Sequence, residues 1–138
     1  MDAAEDALPP SLTDVHLSGE ALLPQLLWRV LRNRHVHLFN LYGPAEATIN
    51  THSWRAACND SHATVPIGSA LPNTTGYVVD TQGTPVPVGV PGELYLGGPK
   101  VARGYIGRKD LTDQAFVHVA SLPDAGRLYK TGDRVRWL

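Results

Sequence analysis

Residues 13–46 read TDVHLSGEALLPQLLWRVLRNRHVHLFNLYGPAE, and their hydrophobic period changes twice. Residues 13–17 (TDVHL) alternate as a short strand does. After Ser18-Gly19-Glu20, Leu23, Leu27, Val30 and Leu31 recur at i, i+4, i+7 and i+8, one face of a helix. Glu20 near its start and Arg29, Arg32 and Arg34 near its end suit the helix dipole. Pro24 is tolerable only in the first turn, because a proline inside a helix removes a backbone donor. Residues 35–41 (HVHLFNL) return to strand character. Strand, helix and strand over about thirty residues make a βαβ-like unit.

Beyond Tyr42 the pattern is different. Short β runs at 48–54, 75–80, 93–96, 128–130 and 135–138 alternate with turn clusters such as Pro72-Asn73, Gln82-Gly83 and Gly97-Gly98-Pro99. A short helix is expected over 110–116, with Leu111, Ala115 and Phe116 facing in. The expected architecture is an α/β edge (βαβ-like) followed by a small antiparallel β-barrel-like module. Residues 1–12 are expected to be a linker or frayed start, 13–46 the end of an α/β subdomain, and 47–138 a β-rich subdomain.

Composition narrows the function classes. The 138 residues carry 12 Lys plus Arg against 13 Asp plus Glu, a net charge of −1 with six His neutral. No basic excess is present to neutralise a phosphate backbone, so no nucleic-acid partner is expected. The acidic opening MDAAEDALPPS is not a signal peptide, and no apolar run approaches the roughly 20 residues that span a bilayer, so no membrane partner is expected. A single cysteine, Cys58, excludes an internal disulfide and points to a reducing, cytoplasmic location. Cys58 reads as a loop residue in a polar turn, without a base to activate it. The His residues lack metal-ligand spacing; His35 and His37 are expected on one strand face. Trp28, Trp54 and Trp137 read as packing residues.

Three constellations carry potential chemistry. Asn40-Leu41-Tyr42-Gly43-Pro44-Ala45-Glu46 follows a strand, where loops of α/β sheets bind ligands. Its Gly-Pro turn would present Tyr42, whose ring can stack on a flat base, and Glu46, whose carboxylate can hold Mg²⁺, a hard cation. The same residues also fit a plain turn with a solvated glutamate. Tyr129-Lys130-Thr131-Gly132-Asp133 reads as a strand end whose carboxylate can take two hydrogen bonds from a ribose diol, or as a simple Gly-Asp hairpin turn. Residues 92–105 (GELYLGGPKVARGY) allow sharp bends and a Glu93–Arg103 pair and read as structural.

Taken together, LFNLYGPAEATI (38–49), PIGSALPNTTGYVVD (66–80), GELYLGGPKVARGYIGRKDLTDQAFV (92–117) and RLYKTGD (127–133) resemble adenylation domains of nonribosomal peptide synthetases. These belong to the AMP-forming acyl- and aminoacyl-adenylating superfamily. The resemblance covers roughly residues 13–138 and implies a fragment of a larger AMP-forming ligase fold. It implies activation of an amino acid with ATP and Mg²⁺ to an aminoacyl adenylate, with release of pyrophosphate. Transfer to the phosphopantetheine thiol of a carrier domain, among flanking synthetase modules, would follow. By motif, Tyr42 is similar to the residue that stacks on adenine, and Asn40 and Gly43 border that base. Glu46 matches the Mg²⁺ carboxylate, and Asp133 the one holding the ribose hydroxyls. Ala45 replaces the threonine usual in this loop, which contacts the phosphate. His16, Ser18, Leu41, Ile49 and Asn50 would line an amino-acid pocket that suits a small polar amino acid; His16 also reads as a plain strand residue.

The sequence contains no Ser/Thr/Gly-rich phosphate loop. The family's amine-binding Asp would lie before residue 1, and the hinge and small C-terminal domain with its catalytic Lys after Leu138. No catalytic set is therefore expected to be complete in this chain, and the chain alone is expected to be inactive and marginally folded. Two alternatives stand beside this reading: a non-catalytic remnant acting as an interaction module, and a fragment of an acyl-CoA synthetase-like ligase.

Overall fold

A computed structural model describes residues 8–57 and 63–138. Among them the elements run β1 (Asp14–Leu17), α1 (Pro24–Leu31), β2 (His37–Tyr42), β3 (His52–Arg55), β4 (Ser69–Ala70), β5 (Thr75–Val79), β6 (Gly92–Gly97), α2 (Lys109–Ala115), β7 (Phe116–Val117) and β8 (Leu128–Val135). Single 3₁₀ turns lie at Ala45–Ala47 and Pro123–Ala125. The chain forms two compact units. One contains the described residues of Met1–Gly43 and His52–Ser69, and the other Pro44–Thr51 with Ala70–Leu138.

The first unit is the expected βαβ arrangement. β1 and β2 are parallel neighbours, with Val15 opposite Leu38 and His16 opposite Phe39. α1 connects them and carries Pro24 in its first turn. Leu27 and Leu31 of α1 pack with Leu22, Leu38 and Val65 into a core that Val15, Leu17, Val30 and Trp54 complete. Alternation along β2 sends Leu38 and Asn40 inward, leaving Phe39 and Leu41 on the opposite face. Leu23, expected on the inward face, is 60% exposed. With Pro24 fixing the first helical position, Leu23 becomes the extended N-cap residue, and Leu22 supplies the apolar contact instead.

The expected division at residue 46 differs from the observed one. β3 pairs antiparallel with β2, with Tyr42 opposite His52 and Phe39 opposite Arg55. The chain thus leaves the first unit after Gly43 and rejoins it at His52. The strand expected over 48–54 begins only at His52, because Thr48 and Ile49 are left-handed, with φ of 60° and 64°. Gly68 lies against β3, where a Cβ would overlap the Ser53 carbonyl. Leu8 donates its N–H to Asn33 Oδ1 at 3.0 Å, so the expected frayed start does not extend to residue 8. Residues 1–7, Cys58 and the 59–61 turn lie outside the described residues.

The second unit is antiparallel, in the order β5-β6-β8-β7. Tyr77 faces Tyr95 across β5 and β6, and Phe116 faces Tyr129 across β7 and β8. β6 is the buried centre, and Val79, Tyr95 and Leu128 form the core with Tyr77, Val117, Val119 and Leu122 around them. The run expected at 128–130 continues, through a bulge, as one strand, β8, to Val135, and of the run expected over 135–138 only Val135 is strand. α2 buries little: Leu111 is 37% exposed, and the inward residue is Phe116, which belongs to β7. Trp28 and Trp137, expected to be packed, are 38% and 39% exposed.

Candidate functional site

In the first unit the candidate residues cluster around the carboxyl ends of the parallel strands, the usual position for ligands of such sheets. His16 stacks on Phe39 with ring centroids 4.7 Å apart and planes 8° apart. Leu41 lies two residues along β2 from Phe39, so His16 and Leu41 share the sheet face opposite α1. Ser18 is exposed one residue past the end of β1. Asn40 is buried, and its amide nitrogen donates to the Pro66 carbonyl at 2.7 Å, tying β2 to the stretch before β4. Tyr42 ends β2, half-buried, edge-on to the His52 ring at 6.0 Å. Burial holds the His52 imidazole below its ordinary value of 6.5. His35 precedes β2 and meets the Pro9 carbonyl, while His37 pairs with Asp14, so the two do not share a strand.

In the second unit, Ala45 and Glu46 form the 3₁₀ turn after Pro44, Ala45 exposed and Glu46 half-buried. The Tyr105 hydroxyl donates to Glu46 Oε1 at 2.7 Å, and the Ala102 N–H donates to the Glu46 carbonyl, also at 2.7 Å. The bond to the Glu46 carboxylate is the main cause that pushes the Tyr105 phenol well above its ordinary value. Burial pushes the neighbouring Tyr129 phenol up as well. Sequence reasoning missed Tyr105, because it stands 59 positions from Glu46 and no local pattern links them.

Thr48 and Ile49 both lie in the left-handed region, a rare conformation for β-branched residues and one that concentrates at functional sites. Thr48 Oγ1 donates to the Lys100 carbonyl at 2.9 Å, and Lys100 Nζ donates to the Asn50 carbonyl at 3.2 Å. Ile49 is 63% exposed. Asn50 Oδ1 is buried without a hydrogen-bond partner among the described residues. An orphan acceptor of this kind costs about 1–3 kcal/mol unless a bound group supplies a donor.

Asp133 is presented by the bulge in β8. From the pair Glu93–Arg134 to the pair Tyr95–Lys130, β6 advances two residues while β8 advances four. Gly132 takes φ +76°, and its N–H donates to Glu93 Oε1 at 3.1 Å. Thr131 Oγ1 donates to the Leu94 carbonyl and accepts from the Asp133 N–H. Thr-Gly-Asp is therefore neither a strand end nor a hairpin turn. It is a bulge, which redirects a side chain away from the ladder, and Asp133 is exposed there. Glu93 spends its carboxylate on this bulge and does not pair with Arg103.

No group of three or more His, Cys, Asp or Glu among the described residues could hold a metal ion by itself. A single positioned carboxylate such as Glu46 is what Mg²⁺ takes when substrate phosphates supply further oxygens. No helix among the described residues is long and apolar enough to cross a membrane.

Comparison with known proteins gives this geometry its context. The family described as AMP-binding enzyme matches residues 1–106. The chain is 51% identical over 134 residues to phosphinothricin tripeptide synthetase PhsB of Streptomyces viridochromogenes, covering 95% of this chain and 11% of that protein. It is 43% identical over 134 residues to malpinin synthetase of Mortierella alpina, covering 95% of this chain and 2% of that one. Among solved structures, a four-domain nonribosomal peptide synthetase bound to AMP and glycine superposes with a TM-score of 0.80 at 40% identity, over 91% of this chain and 9% of that chain. The Vibrio cholerae adenylation domain AlmE, in complex with glycyl-adenosine-5'-phosphate, gives 0.80 at 33% identity, over 92% of this chain and 24% of that chain. The sequence thus spans a small part of each relative, and its fold is part of the AMP-forming ligase fold. The chain belongs to the AMP-binding enzyme family.

Proposed function

We propose that the chain is the nucleotide-facing part of an amino-acid-activating adenylation domain in nonribosomal peptide synthesis. The reaction joins the amino-acid carboxylate to the α-phosphorus of ATP and breaks the bond to pyrophosphate, which leaves. The thiol of a carrier domain's phosphopantetheine, losing its proton, then takes the aminoacyl group as a thioester, and the acyl–phosphate bond breaks to release AMP. The observation that carries this reading is Glu46, held by Tyr105 in the turn directly after Tyr42.

Each residue has a task in that reaction. Tyr42 stacks on the adenine, with Gly43 and Asn40 bordering it. Asp133, displayed by its bulge, accepts from the ribose hydroxyls. Glu46 would hold Mg²⁺, which would supply positive charge to offset that of the phosphates. Ala45 stands beside the phosphates without the hydroxyl usual there. His16, Ser18, Leu41, Ile49 and Asn50 line the amino-acid pocket, and the orphan Asn50 Oδ1 is an acceptor for a small polar substrate. Support comes from the relatives: one solved neighbour binds AMP and glycine, and another holds a glycyl adenylate. A third contains adenylation and carrier-type PCP domains, matching at 29% identity with a TM-score of 0.81. The reaction belongs in the cytoplasm, where ATP, amino acids and carrier domains meet.

The test is ATP–pyrophosphate exchange by the full polypeptide that carries this chain, assayed against each proteinogenic amino acid. Exchange should depend on a small polar amino acid and fall by at least tenfold in Asp133→Ala, which loses hydrogen bonds to the ribose. Exchange with no amino acid, or with fatty or aryl acids alone, would overturn the proposal.

A further inference from the structure

We infer that Tyr105 is a positioning residue for Glu46: its hydroxyl fixes the carboxylate that faces the cation–phosphate group. The inference rests on the proposed function, since it presupposes that Glu46 meets a phosphate-bound Mg²⁺. It goes beyond that reading by assigning a task to a residue from the segment that reads as structural in sequence.

Glu46 has two phenol partners, the Tyr105 hydroxyl at 2.7 Å and the neighbouring Tyr129 hydroxyl, which also meets Tyr105. The Glu46 turn is three residues long and has no side-chain cap, and a glutamate side chain has three rotatable torsions to restrain. Tyr105 is much more constrained. Its ring meets Phe116 edge-on at 5.6 Å, and Phe116, 6% exposed, is itself packed on Tyr129 at 5.1 Å. The Arg127 guanidinium covers the Phe116 ring at 4.5 Å and donates to the Ala102 and Arg103 carbonyls, at 2.8 Å each.

The backbone is fixed too. The Tyr105 N–H donates to Thr112 Oγ1 at 2.9 Å, and Gly104, with φ +137°, approaches Thr112 so closely that a Cβ would overlap its side chain. Segment 102–105 therefore grips Glu46 at two points, by the Ala102 N–H on its carbonyl and by the Tyr105 hydroxyl on its carboxylate. A phenol suits this task better than an ammonium or guanidinium. It orients the carboxylate through one donated hydrogen bond and leaves the negative charge available to the cation.

The test uses the full polypeptide with Mn²⁺ as the probe. Electron paramagnetic resonance follows Mn²⁺ binding in the presence of ATP, without amino acid, so no turnover is read. Tyr105→Phe should weaken Mn²⁺–ATP binding about tenfold, the effect of losing a hydrogen bond to a charged group. Its melting temperature should stay at the wild-type value, because the ring packing is kept. In a Glu46→Gln background the same change should have no further effect, since coupled residues are not additive. Thr112→Val, which frees the Tyr105 backbone, should act in the same direction and serves if Tyr105→Phe fails to fold. Wild-type affinity in Tyr105→Phe, or an equal loss in both backgrounds, would overturn the positioning role while leaving the proposed function standing. A wild-type protein that binds no Mn²⁺–ATP would overturn both.

Discussion

Ala45 is exposed at the first position of the 3₁₀ turn, one residue before Glu46. A hydroxyl there would add a donor toward a bound phosphate, and a hydrogen bond to a charged group contributes about 1.5–3 kcal/mol. Ala45→Thr should therefore raise the pyrophosphate exchange rate of the full polypeptide about tenfold or more; an unchanged rate would show that the phosphate does not reach this side chain. His52 offers a second handle at the same scale. It is 2% exposed and its imidazole is held below 6.5 by burial, so the unfolded chain takes up the proton first as pH falls. The stability linked to His52 is present above about pH 6.5 and is lost as pH falls through its lowered folded value. Urea midpoints measured between pH 7.5 and 5.5 should decline, and His52→Gln should flatten that decline. A decline of the same slope in the variant would assign it to other groups.

At the scale of elements, two glycines separate conformational strain from collision. Gly68 and Gly132 both have positive φ, but a Cβ at Gly68 would overlap Ser53 of β3, whereas Gly132 has open space around it. Gly132→Ala should lower stability by about 1–2 kcal/mol, the penalty of a left-handed alanine, and disturb ATP binding through Asp133. Gly68→Ala should lower the melting temperature considerably more, because the β3 backbone must move. Equal losses would mean that the approach to Ser53 relaxes without penalty.

The same elements show what the sequence makes legible. β1, α1 and β2 follow from period and from Pro24, because a buried face needs its apolar residues at fixed spacing. The segment 48–51 does not. Its Thr48 and Ile49 favour strands by type, yet both are left-handed where tertiary hydrogen bonds tie Thr48 and Asn50 to Lys100. The β8 bulge is hidden for a related reason: Thr-Gly-Asp is a turn signal, and only the pairing with β6 converts it into an irregular strand.

For the whole molecule, the candidate residues divide between the two units. Asn40, Tyr42, Gly43, His16, Ser18 and Leu41 belong to one, and Ala45, Glu46, Ile49, Asn50 and Asp133 to the other. The motif residues can be picked out as candidates from the sequence because each stands in a short, ordered run. Tyr105 cannot, because its partnership with Glu46 exists only after folding. β1 stands at the edge of its sheet, and Leu23 at the start of α1 and Leu26 on it are exposed, surfaces that favour association when left uncovered.

The proposed function requires nucleotide binding. The most direct measurement is calorimetric titration of ATP with Mg²⁺ into the full polypeptide carrying this chain, beside Tyr42→Ala and Asp133→Ala. Saturable binding should be seen in the wild type and be weakened about tenfold or more in each variant, through lost stacking in one and lost ribose hydrogen bonds in the other. Absence of ATP binding, or binding untouched by both substitutions, would contradict it.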